Sequence, residues 1–146
     1  MMNEALQTIM TPNPITVEAH ETVADAEIKL SIHNVSYLPV MNGHSLVGMI
    51  SAYDLARKIR SNEDTKLILV KDLMVTKVPK VASSEKVGTA AELFLDRRIH
   101  ALPVVDNGKL VGIVTQYDVL KYEFNKEYTK PILYKDVLRP NLRLAI

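Results

Sequence analysis

Residues 46–54 read Leu-Val-Gly-Met-Ile-Ser-Ala-Tyr-Asp, and residues 110–118 read Leu-Val-Gly-Ile-Val-Thr-Gln-Tyr-Asp. The two segments lie 64 positions apart, and the offset holds without a gap far outside them. Leu38-Pro39-Val40 returns as Leu102-Pro103-Val104. Met10, Val17, Glu21, Val23 and Ala26 return as Met74, Val81, Glu85, Val87 and Ala90. Nearly the whole chain is therefore one unit used twice. A repeated unit usually cannot bury its apolar face alone, and stacking two copies completes the core. Because both copies end in the same polar signature, two equivalent sites are expected.

Each unit of about 50–60 residues is marginal by itself, whereas 146 residues make an ordinary single domain. Apolar residues form 47% of the chain, with no Trp and two Phe, so the expected core is aliphatic. A net charge of +1 argues against an electrostatic nucleic-acid or membrane binder. The absence of Cys excludes disulfides, thiolate metal sites and thiol catalysis. No apolar run reaches membrane-spanning length, and the N-terminus has no basic region leading into an apolar one. The expected location is the cytoplasm.

Each repeat reads as β-α-β-β-α, and the fold class is α/β, with two tandem units related by a pseudo-twofold axis. Thr11-Pro12-Asn13-Pro14 is a turn or extended lead. Ile15-Thr16-Val17 is a short strand, and residues 21–34 form a helix with Val23, Ala26 and Leu30 on one face. Val87, Ala90 and Phe94 are the counterparts. Two strands joined at Asn42-Gly43 or Asn107-Gly108 follow as a hairpin. Pro39 and Pro103 cannot donate to a ladder, which predicts that their strands lie at an edge. The divisions are a lead-in over 1–8, repeats over 9–60 and 73–123, a linker over 61–72 and a tail over 124–146. Residues 67–70 are apolar and are expected to cross into the second unit. The last helix should run to about Tyr128, with an irregular segment beyond it.

The polar signature has two readings. Ser51 with Asp54, and Thr115 with Asp118, resemble a helix capping box. Yet both copies keep Gly, hydroxyl, Tyr and Asp at the same offsets while their neighbours vary, and both use Asp where Glu is usual. A hydroxyl, the free N–H groups of a helix start and a short carboxylate together suit a ribose 5′-phosphate. On this reading Gly48 and Gly112 let a ligand approach the backbone. Met10 and Met74 read as core plugs. His20, His33, His44 and His100 show no ligand spacing, so no metal site is expected. No nucleotide-hydrolysing loop, zinc-hydrolase helix or nucleophile elbow is present, and the chain reads as non-catalytic.

The pattern Gly-apolar-x-Ser/Thr-x-x-Asp, preceded by a Leu-Pro-Val strand and an Asn-Gly turn, resembles the CBS domain, whose tandem pairs form the Bateman module. The resemblance covers about residues 7–123. It implies a regulatory module with two inter-repeat clefts that bind AMP, ADP or ATP, or else S-adenosylmethionine or a dinucleotide, and that pass the signal to an effector protein. It also implies a homodimer through helix faces, for which Ile28, Ile32, Leu93 and Leu95 are candidates. In the first cleft, Ser51, Tyr53 and Asp54 face Pro79, Lys80, Ile99, His100, Ala101 and Pro103. In the second, Thr115, Tyr117 and Asp118 face Ile15, Thr16, Val35, Ser36, Tyr37 and Pro39. Lys80, His100 and Arg98 would favour polyphosphate in the first cleft. The second would suit AMP or stay empty behind Tyr37. The competing reading is a structural dimerisation or adaptor module whose clefts are empty.

Overall fold

A computed structural model describes residues 2–97 and 99–128. Its elements are β1 (Thr11–Pro12), β2 (Val17–Glu18), α1 (Val23–His33), β3 (Tyr37–Asn42), β4 (Ser45–Ser51), α2 (Ala52–Lys58), α3 (Val70–Leu73), α4 (Val87–Arg97), β5 (Ala101–Asp106), β6 (Lys109–Thr115) and α5 (Gln116–Glu127). A 3-10 turn, Leu6–Thr8, precedes them. The second hairpin and helix repeat the first at the 64-residue offset. Tyr37 pairs with Ser51 and Ala101 with Thr115, and both hairpins slip register at the same place, Val40/Met41 and Val104/Val105. Two repeats of strands and helices thus build the mixed α/β fold read from the sequence. Among the described residues no helix is long and apolar enough to cross a membrane.

Local chemistry fixes the first long helix. Thr22 caps α1: its hydroxyl accepts Asp25 N at 3.2 Å, and the Asp25 carboxylate accepts Thr22 N at 3.0 Å. Asn34 closes the helix with φ 50°, the left-handed conformation that Asn tolerates. The inward stripe Val23, Ala26, Leu30 is buried, as is its counterpart Val87, Ala90, Phe94. Each stripe covers one sheet and makes one apolar core per repeat, aliphatic but for Phe94 among its buried residues.

The repeats are joined by exchange. β1, which leads into repeat 1, pairs antiparallel with β6 of repeat 2. Val75, which leads into repeat 2, bridges Met49 on β4 of repeat 1, with mutual hydrogen bonds of 2.9 and 2.8 Å. The bridges Ala5–Lys86 and Thr22–Leu69 form a second reciprocal pair. Such pairs, in which the partners swap at a constant offset, are the mark of a twofold relation. Leu6 is wholly buried in the core of repeat 2. Val70 is wholly buried in the core of repeat 1. Residues 67–70 therefore return to the first unit rather than crossing into the second. Val70 N donates to the Glu21 carbonyl at 2.9 Å and holds them there.

The edge expectation fails for Pro39. Its strand β3 lies in the middle of the order β2-β3-β4. The parallel pairing begins at Val17–Val40, one residue past the proline, so the missing N–H falls at the end of the ladder. The nearby Thr16 carbonyl takes its hydrogen bond from Lys29 Nζ at 3.0 Å. In repeat 2, β5 ends its three-stranded order, with one bridge from Val81 beyond it. Leu93 also departs from expectation, since it packs on the second core, whereas Ile28, Ile32 and Leu95 remain 55%, 72% and 85% exposed. The helical run to Tyr128 is observed, and the tail beyond it lies outside the described residues.

Candidate functional site: the cleft beside Asp118

Both strand-to-helix junctions are caps, and they differ. Ser51 Oγ accepts Asp54 N at 3.0 Å. Thr115 Oγ1 accepts Asp118 N at 3.3 Å, and Asp118 Oδ2 accepts both Thr115 N at 2.8 Å and the Thr115 hydroxyl at 3.0 Å. The second junction is a complete capping box and the first is not. Asp118 keeps Oδ1 without a hydrogen-bond partner among the described residues. Within the same set the Asp54 carboxylate makes neither a hydrogen bond nor an ion pair.

A cavity of about 740 Å³ opens beside Asp118. Seven of the residues expected in the second cleft line it: Ile15, Val35, Ser36, Tyr37, Thr115, Tyr117 and Asp118. Tyr37 forms a wall and does not close the space. Thr16 points elsewhere, because successive residues of an extended segment face opposite sides. It lines a separate cavity of about 420 Å³ with Glu18, His44 and Lys109. Pro39 is fully buried and reaches neither space.

The first cleft is assembled differently from expectation. Lys80 and Pro103 line a space of only about 40 Å³ with Gly48, Met49 and Val78. Ser51 is buried, and Ala101 packs with Met49 and Ile113 between the two sheets. Ile99 and Pro79 are half-buried, and Tyr53 is 66% exposed with the Arg57 guanidinium 5.3 Å from its ring centre. His100 lines the Asp118 cavity instead. Gln116 N donates to the His100 carbonyl at 3.1 Å, as Ala52 N does to the equivalent Ser36 carbonyl at 3.0 Å, and Gln116 Nε2 donates to the Ile99 carbonyl at 3.0 Å. The segment before β5 is thereby stitched to the start of α5. Arg98 lies outside the described residues.

The sequence reading missed Thr11, Asn13, Pro14, Asn34, Ile113 and Gln116 in the cavity wall. Asn13 and Asn34 both have positive φ, 46° and 50°. The Pro-Asn-Pro setting of Asn13 was the available signal for a special turn. Gly48 and Gly112 also serve a different purpose from the one expected. A Cβ on Gly48 would lie 2.8 Å from the Val75 carbonyl oxygen, and one on Gly112 would lie 3.0 Å from that of Thr11. The glycines admit the exchanged segments, with Met74 and Met10 packed over them, rather than a ligand.

Charge in the cavity is sparse. Asp118 and His100 are its ionisable groups apart from the two tyrosines, and no Lys or Arg lines it among the described residues. Burial pushes the Tyr37 phenol above its ordinary range, and the negative charge of Asp54 pushes it further. The cavity is thus an apolar slot of Ile15, Val35, Tyr37 and Ile113, ending at a helix start with a hydroxyl and a carboxylate. It can seat a flat ring, a diol and a small anion together.

The CBS domain profile matches residues 6–61 and 70–125, and the chain belongs to the CBS domain family. An uncharacterised protein of Methanopyrus kandleri is 33% identical over 112 residues, which are 75% of this chain and 57% of that one. The chain spans only 21% and 25% of the next two curated relatives. Among solved structures, CBSX2 in complex with AMP is 33% identical with a TM-score of 0.72, covering 85% of this chain and 98% of that one. The CBS domain pair of protein MJ0100, in complex with 5′-methylthioadenosine and S-adenosyl-L-methionine, is 28% identical with a TM-score of 0.77 and the same coverage.

Proposed function

We propose that the chain is a non-catalytic regulatory module that binds an adenosyl ligand in the Asp118 cavity and passes its occupancy to a partner protein. The observation that carries this reading is the juxtaposition of an apolar slot with Thr115, Asp118 and the N-terminus of α5 in one cavity of about 740 Å³. The adenine lies between Ile15, Val35 and Tyr37, the ribose diol meets Asp118 Oδ1, and a phosphate or other small anion meets the positive end of the α5 dipole. The structures that carry AMP, methylthioadenosine and S-adenosylmethionine support this class of ligand.

The same geometry selects within the class. With no Lys or Arg in the described wall, a triphosphate would bring charge that no described Lys or Arg there offsets. AMP, methylthioadenosine and S-adenosylmethionine are favoured over ATP. The exposed Ile28, Ile32 and Leu95 support a homodimer through the helix faces.

A thermal-shift panel of AMP, ADP, ATP, S-adenosylmethionine, methylthioadenosine and NADH tests the reading. A ligand at 100 times its Kd adds about 2.7 kcal/mol. AMP or methylthioadenosine should stabilise the chain at lower concentration than ATP. A panel in which nothing stabilises it favours the adaptor reading, with empty clefts.

A further inference from the structure

Asp118 lines two cavities. Past it lies a recess of about 480 Å³, walled by Asp118, Lys121 and Asn125 on α5 and by Glu4, Thr8 and Ile9 of the N-terminal segment. The Asp118 cavity shares both walls, with the start of α5 on one side and Thr11, Asn13 and Pro14, further along that segment, on the other. The two spaces thus follow one another between α5 and the lead segment and meet at Asp118. Lys121 stands one turn beyond Asp118, about 4.5 Å along the helix axis. It makes neither a hydrogen bond nor an ion pair with another described residue. Glu4 is held from α5: its Oε2 accepts the Tyr122 hydroxyl and, at 3.0 Å, Lys126 Nζ. Its Oε1 has no hydrogen-bond partner among the described residues. Repeat 1 is built differently here. Ile68 stands at the place of Glu4, and Lys58, at the place of Tyr122, donates to the Leu73 carbonyl at 2.9 Å. Arg57, at the place of Lys121, lies over the Tyr53 ring.

We propose that the recess is a tail subsite of the Asp118 cavity and takes an α-amino acid group, so that the ligand is an adenosyl compound with a zwitterionic 5′ tail. This rests on the adenosyl-binding reading above. The ribose 5′ carbon is bonded to the ring atom next to the 3′ carbon, so a substituent on it leaves the ring close to the carboxylate that holds the diol. A short aliphatic chain then passes Asp118 into the recess. There the α-carboxylate meets the Lys121 ammonium and the α-ammonium meets Glu4 Oε1, two charge-assisted contacts of opposite sense. A phosphate chain suits the recess less, because Glu4 and Asp118 oppose it and Lys126 is already paired with Glu4. A bare methylthio group leaves both charges to water.

S-adenosylhomocysteine and 5′-methylthioadenosine are both thioethers and differ in the amino acid on the tail, so calorimetric titration of the full chain with the pair isolates the recess. The wild-type chain should bind S-adenosylhomocysteine about tenfold or more tightly than methylthioadenosine. Lys121→Met keeps the apolar stem of an exposed side chain and removes its charge. It should erase most of that ratio of dissociation constants, and Glu4→Gln should reduce the ratio too. A wild-type ratio near one, or a ratio that Lys121→Met leaves intact, overturns the tail subsite, while saturable methylthioadenosine binding keeps the adenosyl reading. If no adenosyl compound binds the wild-type chain, both readings fall.

Discussion

Asp118 commits one carboxylate oxygen to its own helix start, keeps the other without a hydrogen-bond partner among the described residues, and lines a cavity. Cap and ligand contact are therefore compatible in one residue, and the capping-box motif alone does not choose between them. Asp118→Asn keeps the shape of the cap while removing the charge, so it should lower adenosyl affinity with little loss of fold, as calorimetry and circular dichroism together would read. Gly48 and Gly112 make a sharper residue-scale prediction. Alanine at either position would press on a backbone carbonyl of the exchanged segment, and overpacking of this kind costs about 1–3 kcal/mol. Urea denaturation should show that loss without ligand; a stability unchanged within a few tenths of a kcal/mol would return both glycines to a ligand-approach role. The caps were legible because they are written within four consecutive residues. The reason for the glycines was not, because the carbonyls that demand them belong to Val75, far later in the chain, in one case and to Thr11, far earlier, in the other.

Among the elements, the hairpin of repeat 2 is tied to the segment before α4 by a bond the repeat pattern does not announce. Ser83 N donates to Asp106 Oδ1 at 2.9 Å, and Ser83 Oγ to Asp106 Oδ2 at 2.5 Å. These hydrogen bonds hold the Asp106 carboxyl below its ordinary value of 3.8. A folded-state pKa below the unfolded one stabilises the fold above the unfolded value, and the contribution is lost as pH falls through the folded value. Acid unfolding of the wild-type chain should therefore steepen below about pH 4 relative to Asp106→Asn; superimposable curves would contradict the assignment. At α1, Thr22→Ala should cost about 1 kcal/mol through loss of the capping box, measured as a shift of the denaturation midpoint at constant slope. The helices were legible from their 3.6-residue stripes. The place of Pro39 was not, because a missing N–H forbids only one ladder bond, and the chain set that bond at the end of the ladder.

At the scale of the whole molecule, the two repeats complete each other. Leu6 and Val70 are each wholly buried in the core of the repeat that their own sequence position does not lead. Leu6→Ala should destabilise the chain by about 2–5 kcal/mol, with the protection of α4 and β5 in hydrogen exchange falling most. The 64-residue offset made the equivalence of the units plain. It could not tell which unit each connecting segment joins, since periodicity identifies a buried face and not its partner. For the same reason the sequence placed His100 in one cleft, while its side chain lines the other. Light scattering tests the assembly: Ile32→Asp with Leu95→Asp should halve the mass of a wild-type dimer, and a wild-type monomer at high micromolar concentration would contradict the helix-face interface.

The central claim, that Asp118 marks an adenosyl site, is tested most directly by calorimetric titration of AMP and of methylthioadenosine into the wild-type chain and into Asp118→Ala, with folding checked by circular dichroism. The account predicts saturable binding to the wild-type chain and a loss of about 1.5–3 kcal/mol in the variant, the worth of a hydrogen bond to a charged group. That is a weakening of about tenfold or more. A folded Asp118→Ala chain that binds both ligands as tightly as wild type would contradict it.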